Sequence, residues 1–145
     1  MRFLLDTPVL AETRRTRPNA DVLRWLGSVE PDMLAVSAVS LAEIQRGIAR
    51  ARRDGHELAP LLDRWLATLQ TVYADRILDV DRVVALRWGH IAGEFGRATP
   101  DVAIAATAHV HRLVVATPRA DDFLRAGVPA LNPFQPNPQV VRPRV

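Results

Sequence analysis

Short apolar runs alternate with longer stretches of helical periodicity along the whole chain. The runs FLL (residues 3–5), MLAV (33–36), IL (77–78) and LVVA (113–116) lack polar alternation, and residues 127–131 lead into a last edge strand. Apolar runs of this kind are typical of parallel strands that are covered on both faces. The order of the segments predicts an α/β domain in which helices flank a central, mostly parallel sheet.

Local signals predict where several of the helices lie. Between residues 58 and 72 the apolar positions recur at helical spacing, which makes this the clearest helix in the chain. Thr7 followed by Pro8 is typical of a helix start, with a hydroxyl at the N-cap and proline at the first helical position. Ser40 precedes Glu43 by three residues, which is the spacing of a capping box.

The composition restricts the chemistry that the chain can perform. None of its 145 residues is cysteine, which excludes disulfides, thiolate zinc sites and cysteine nucleophiles. All 19 basic residues are arginines, whose guanidinium groups bind phosphate through two donors and keep their charge. A net charge of +3 permits a nucleic-acid partner without requiring one.

The sequence predicts a single cytoplasmic domain. Only Met1 and Arg2 precede the first apolar run, so no export signal is evident, and no apolar stretch approaches the roughly 18 residues of a membrane span. Residues 1–134 are expected to form the domain and residues 135–145 a proline-rich tail. Because the prolines exclude regular structure, we expect the tail to be loose or to lie along a partner.

Acidic residues occur where a parallel sheet forms its binding sites, at the carboxyl ends of the strands. Asp6 directly follows the first strand, and Asp121 and Asp122 follow the fourth after a short turn. Glu43 and Asp101 are expected in the first turns of two helices, where capping or an interaction with the helix dipole is the alternative interpretation. Three other acids lack any such positional signal and are expected to be solvated: Glu12, Glu57 and Glu94.

If these acids converge, they require protons or a cation. Two carboxylates about 4 Å apart repel by roughly 4 kcal/mol at an effective dielectric near 20. Oxygen ligands without cysteine favour Mg²⁺, or Mn²⁺ as a substitute, and such an ion takes further ligands from substrate phosphate. The corresponding reaction is attack on a phosphodiester by metal-activated water. A phosphatase with Asp6 as nucleophile is a weaker alternative, since no lysine is present to clamp a phosphoryl group.

Five segments carry a family resemblance: LLDTPVL (residues 4–10), VSLAEIQRGI (39–48), DVAIAATA (101–108), TPRADDF (117–123) and LNPF (131–134). In this order and at this spacing they resemble the PIN-domain ribonucleases, and most closely the VapC and FitB-like toxins of bacterial toxin–antitoxin pairs. The resemblance covers nearly the whole chain. It implies a PIN-like three-layer sandwich, an acidic Mg²⁺ site, endonucleolytic cleavage of RNA, a homodimer, and inhibition by a VapB-like antitoxin that enters the active-site groove.

The resemblance also implies which residues form the site. Thr117 matches a family threonine that lies beside the acids and is expected to contact the substrate, with a buried hydroxyl cap as the alternative interpretation. Asp121 is an alternative in register for the fourth acid. The four positions that match the catalytic and metal-binding acids of the family are Asp6, Glu43, Asp101 and Asp122.

Three departures from the family pattern surround these acids. The family sequence Asp-Thr-Asn is Asp6-Thr7-Pro8 here, the Arg-Asn pair after Thr117 has become Pro118-Arg119, and the loop before Asp101 is shorter than usual. Loss of polar side chains that orient ligands predicts a weaker metal affinity. A PIN module with little or no activity that acts by binding its antitoxin is therefore the alternative function.

Arginines close to the acids are candidates for contacts with RNA phosphates. Arg119 is nearest to the acids in sequence and is expected to contact a substrate phosphate. Arg46 lies three residues after Glu43 on one helical face, where it either flanks the RNA groove or pairs with Glu43. Several helices carry broad apolar faces, which predicts that part of this surface packs against a second copy of the chain.

Overall fold

The computed structural model describes residues 1–144, which form five parallel strands and seven α-helices. The strands are β1 (Phe3–Leu5), β2 (Leu34–Ser37), β3 (Ile77–Leu78), β4 (Val114–Ala116) and β5 (Ala130–Leu131). Their order in the sheet is β3-β2-β1-β4-β5, and every neighbouring pair is parallel. The prediction of an α/β domain is confirmed.

The helices lie between the strands, as crossover connections require. Within residues 1–144, none of them is both long enough and apolar enough to cross a membrane. In chain order they are α1 (Thr7–Glu12), α2 (Ala20–Ser28), α3 (Ala38–Arg53), α4 (Ala59–Val72), α5 (Arg82–Phe95), α6 (Pro100–His111) and α7 (Ala120–Arg125), with a 3₁₀ turn at Pro31–Met33 before β2.

The sheet separates two hydrophobic clusters, because successive residues of a strand point to opposite faces. Phe3 and Leu5 pack into the cluster formed with α1 to α4, and the ring of Phe3 meets that of Trp25 edge-on at 5.1 Å between centroids. Leu4 points the other way, into a cluster that contains Ile104 of α6 and Phe123 of α7. A smaller cluster joins α5 to the outside of α6.

Two helices begin at positions other than those predicted. The N-cap of α1 is Asp6, whose Oδ1 accepts the N–H of Thr7 at 2.9 Å. The N-cap of α3 is Ser37, whose hydroxyl accepts the N–H of Val39 at 3.0 Å, so the capping box predicted from Ser40 is wrong. Glu43 therefore lies in the second turn of α3 rather than the first.

One acid that was expected to be solvated is buried. Glu12, at the end of α1, accepts the N–H of Asn19 at 2.8 Å and pairs with Arg15 Nε at 2.9 Å. Its carboxylate thereby provides the hydrogen-bond acceptor for a backbone N–H of the turn that leads into α2. Glu57 and Glu94 are exposed, as predicted.

The proline-rich tail folds back onto its own domain. Val141 and Ala130 of β5 exchange backbone hydrogen bonds of 2.8 and 2.9 Å in an isolated antiparallel bridge. Val140 of the tail packs against the larger hydrophobic cluster, as does Phe134 just before it. The expectation of a loose or partner-bound tail is therefore wrong for this segment, because the edge of β5 supplies the partner for its backbone.

Candidate active site

Asp6 and Thr117 follow two neighbouring strands and meet at the carboxyl edge of the sheet. The N–H of Asp6 donates to the carbonyl of Ala116 at 3.0 Å, which extends the pairing of β1 with β4 by one residue. Both side chains are buried, and Thr117 Oγ1 donates to Asp6 Oδ2 at 2.8 Å. Thr117 therefore orients the Asp6 carboxylate.

The hydroxyl of Thr7 links Glu43 to the edge of the sheet where Asp6 lies. Thr7 Oγ1 donates to Glu43 Oε1 at 2.8 Å and lies 3.0 Å from Ser40 Oγ. Since Thr7 directly follows Asp6, its hydroxyl connects the end of β1 to α3. Thr7 and Ser40 were interpreted only as helix caps. The signal for this second role was their position in the sequence, because Thr7 directly follows Asp6 and Ser40 precedes Glu43 by three residues.

Arg119 joins Asp6 to Asp101. Its Nη1 and Nη2 donate to the two carboxylate oxygens of Asp101 at 2.8 and 3.1 Å, and Nη2 also donates to Asp6 Oδ2 at 3.1 Å. The two-donor contact with Asp101 is the strong geometry for an arginine and a carboxylate. We call Asp6, Glu43 and Asp101 the acid site.

Burial and mutual repulsion act on the carboxyl groups of the acid site. Burial raises the pKa of Glu43, and the charges of Asp6 and Asp101 raise it further, against the hydrogen bond from Thr7. Burial also raises the pKa of Asp101, which Arg119 partly offsets. Burial alone lowers the pKa of Arg119, but its ion pairs outweigh that effect and the pKa is raised. The three carboxyl groups of the acid site thus lie close to a single permanent positive charge, that of Arg119.

Asp122 lies next to Asp101 but outside the hydrogen-bonded network. Both side chains line a cleft of about 310 Å³, and the charge of Asp122 contributes to the raised pKa of Asp101. The carboxylate of Asp122 is paired with Arg125 one turn further along α7. Asp121 is exposed and does not line this cleft. Asp122 is therefore the residue of this pair that faces the acid site.

The two arginines that were expected to contact phosphate lie in different environments. Arg46 is exposed on α3 and forms no ion pair with Glu43, whose hydrogen-bonded oxygen contacts Thr7 instead. The donors Nη1 and Nη2 of Arg119 are directed at carboxylates. In this arrangement Arg119 is a counter-ion of the acids.

The donor chemistry of the acid site fits a hard divalent cation, whereas its present spacing does not. Carboxylate oxygens are the ligands that Mg²⁺ and Mn²⁺ prefer, and the negative charges outnumber the single guanidinium. However, no three acidic or histidine groups among residues 1–144 are close enough together to hold a metal ion. The guanidinium of Arg119 lies between Asp6 and Asp101.

The parallel sheet, its two helical layers and the acids at its carboxyl edge define a PIN-like α/β domain. The five sequence segments give the same class. The chain matches the PIN domain family over residues 3–128 and belongs to that family. Both the family resemblance and the three-layer fold are confirmed.

Known proteins resemble the chain over nearly its full length. It is 36% identical over 137 residues to toxin FitB of Neisseria gonorrhoeae, covering 91% of this chain and 98% of FitB. It is 29% identical over 141 residues to VapC ribonuclease Y4jK of Sinorhizobium fredii, covering 92% and 99%. The crystal structure of FitAcB from Neisseria gonorrhoeae superimposes with a TM-score of 0.72 at 33% identity, covering 92% of this chain and 99% of that one.

Proposed function

We propose that this protein is the ribonuclease toxin of a toxin–antitoxin pair and that it cleaves RNA at the acid site with Mg²⁺ or Mn²⁺. The observation that carries the proposal is the convergence of Asp6, Glu43 and Asp101, which come from three separate segments of a PIN domain. The similarity to proteins named as a toxin and as a VapC ribonuclease supports the same function.

The proposed roles of the residues follow from their contacts. A bound divalent ion would supply positive charge to the scissile phosphate and a more acidic water molecule as nucleophile. Thr117 and Thr7 hold the carboxylates of Asp6 and Glu43 in fixed orientations. The residues that would hold the ion are Asp6, Glu43, Asp101 and Asp122.

Glu43 is the proposed acceptor of the proton from the attacking water. Its Oε1 accepts from Thr7, whereas its Oε2 has no hydrogen-bond partner among residues 1–144. This Oε2 is therefore available to accept a proton from a water molecule beside it. In-line attack then leaves 3′-hydroxyl and 5′-phosphate ends. Arg46, exposed on the helix of Glu43, would contact the RNA backbone.

The same proposal includes two protein partners and a compartment. The related crystal structure is of FitAcB, a name that adds a second component to FitB. We therefore propose that a VapB-like antitoxin binds this chain. Val83 and Leu86 of α5 are 57% and 72% exposed, which favours a homodimer that covers this apolar surface. The pair would act in the cytoplasm, where its RNA substrate is present.

Cleavage of RNA by the purified chain tests the proposal. We expect cleavage with Mg²⁺ or Mn²⁺, none with EDTA, and a loss of at least about 100-fold in Asp6→Asn and Glu43→Gln. Glu57→Gln is the matched control, because Glu57 is exposed and lies outside the site. Equal cleavage by Asp6→Asn and the parent chain would contradict the proposal.

A second pair of variants separates the two adjacent acids of α7. Asp122→Asn is expected to lower the cleavage rate, whereas Asp121→Asn leaves it unchanged, because only Asp122 shares the cleft with Asp101. An equal loss in both variants would contradict the assignment.

A binding module without turnover is the second candidate, and the position of Arg119 between Asp6 and Asp101 favours it. It predicts a tight antitoxin complex and no cleavage of any RNA in Mg²⁺ or Mn²⁺. The cleavage assay with the parent chain distinguishes the two candidates.

A further inference from the structure

Arg119 uses the same carboxylate oxygens that a metal ion would use. It engages both oxygens of Asp101 and Oδ2 of Asp6, at distances of 2.8 to 3.1 Å. Within residues 1–144, no other cationic side chain forms an ion pair with Asp6, Glu43 or Asp101. A divalent ion that approached these oxygens would meet the positive charge of the guanidinium at short range. Simultaneous binding of both cations is therefore unfavourable.

The backbone of Arg119 is held in place, whereas its side chain is partly exposed to solvent. The N–H of Arg119 donates to Thr117 Oγ1 at 3.0 Å, which fixes the start of α7 beside Asp6. The side chain itself is 42% exposed, so it can turn toward solvent without disturbing the hydrophobic clusters. Asp6 keeps its hydrogen bonds from Thr117 and Thr7 when the guanidinium leaves.

We propose that the acid site holds either the guanidinium of Arg119 or a divalent cation, so that metal binding requires displacement of Arg119. The inference rests on the proposed function in one respect, since it takes the same acids as the cation site. Arg119 is then a positioning residue that keeps the carboxylates together without a metal and sets the apparent metal affinity. Its displaced side chain becomes available to a phosphate of the substrate.

Calorimetric titration of the full chain with MnCl₂, without RNA, measures this competition. We expect Arg119→Ala to bind Mn²⁺ about tenfold more tightly than the parent chain, which corresponds to about 1.4 kcal/mol. Arg119→Gln retains an amide donor but no charge, so it should bind more tightly too and provides a second variant if the alanine variant folds poorly. Arg24→Ala is the matched control, because it removes the same charge from an exposed ion pair with Asp21.

The titration distinguishes failure of this inference from failure of the proposed function. Unchanged Mn²⁺ affinity in both Arg119 variants, with binding lost in Asp6→Asn, would overturn the competition but leave the acid site as the metal site. Absence of Mn²⁺ binding in the parent chain and in both Arg119 variants would overturn both. An equal gain in Arg24→Ala would assign the effect to net charge and overturn the competition.

Nuclear magnetic resonance of arginine-labelled protein observes the displacement directly. The guanidinium signals of Arg119 are assigned by their absence in Arg119→Gln. On titration with diamagnetic Mg²⁺ we expect these signals to move toward the positions of a solvated arginine. Signals that stay in place when Mg²⁺ saturates the protein would overturn the inference, whatever the activity.

Discussion

The hydroxyl of Thr117 is expected to stabilise the fold through the charge of Asp6. Thr117→Val keeps the shape and the burial of the side chain but removes its hydroxyl, which donates to Asp6 and accepts the N–H of Arg119 at 3.0 Å. The stronger of the two lost contacts is the 2.8 Å hydrogen bond to the carboxylate of Asp6, and both side chains are inaccessible to solvent. The substitution therefore leaves a buried carboxylate oxygen with one donor fewer.

The expected magnitude follows from the charge of the acceptor. A hydrogen bond to a charged group contributes about 1.5–3 kcal/mol, and Asp6 Oδ2 retains its contact with Arg119. We therefore expect a loss of about 2 kcal/mol in the free energy of unfolding. For a domain of this size the loss corresponds to a decrease of about 6 °C in Tm.

Thr107→Val is the matched control, because Thr107 is equally buried but its hydroxyl donates to a neutral acceptor, the carbonyl of Ala103, at 2.9 Å. Its cost should be only about 0.5–1 kcal/mol. Urea denaturation of both variants in EDTA gives the two free energies from shifts in the midpoint at constant m-value.

A double-mutant cycle with Asp6→Asn completes the measurement. In that background the acceptor is neutral, so the cost of Thr117→Val should fall to about 1 kcal/mol. Equal costs for Thr117→Val and Thr107→Val, or a cost of Thr117→Val that is unchanged by Asp6→Asn, would refute the reasoning.

Two further predictions concern other parts of the domain. Phe123→Ala removes a fully buried ring that lines the cleft with Asp101 and should cost about 3–5 kcal/mol in urea denaturation. Leu61→Ala, at an exposed position of α4 outside the proposed dimer surface, should cost less than about 1 kcal/mol. Burial and the charge of Arg87 lower the pKa of His109, in a surface hollow that Arg112 and His90 also line. The folded state thus binds this proton less readily than the unfolded state, and stability should fall as the pH drops below about 6.5. His109→Gln should remove that part of the slope, and an unchanged slope would contradict the assignment.

The helices and strands could be predicted because their signals are local. The apolar stripe of residues 58–72 gives α4 at Ala59–Val72, and each predicted strand overlaps an observed one. The predicted start of α3 was wrong because Ser37 and Ser40 could each cap the helix. The choice of Ser37 depends on where β2 ends. The burial of Glu12 had no local signal, because its partner N–H belongs to the turn before α2.

The candidate site could be predicted in its residues but not in its contacts. Asp6, Glu43 and Asp101 were recognised from their positions and from the family resemblance. The role of Thr7 as the link to Glu43 was missed, because it depends on how closely α3 approaches the end of β1. Arg119 was expected to face substrate, and its pairing with acids 113 and 18 residues away became evident only in the folded chain.

By itself the amino-acid sequence determined the α/β class, the positions of Asp6 at a strand end and Asp101 at a helix start, and the exclusion of cysteine chemistry. These properties depend on residue type and on periodicities of two or 3.6 residues, which act over one or two turns of chain. The tertiary structure decided which charges neutralise one another and which hydroxyls orient them. Those contacts depend on strand order and on helix packing, which bring together groups that are far apart along the chain.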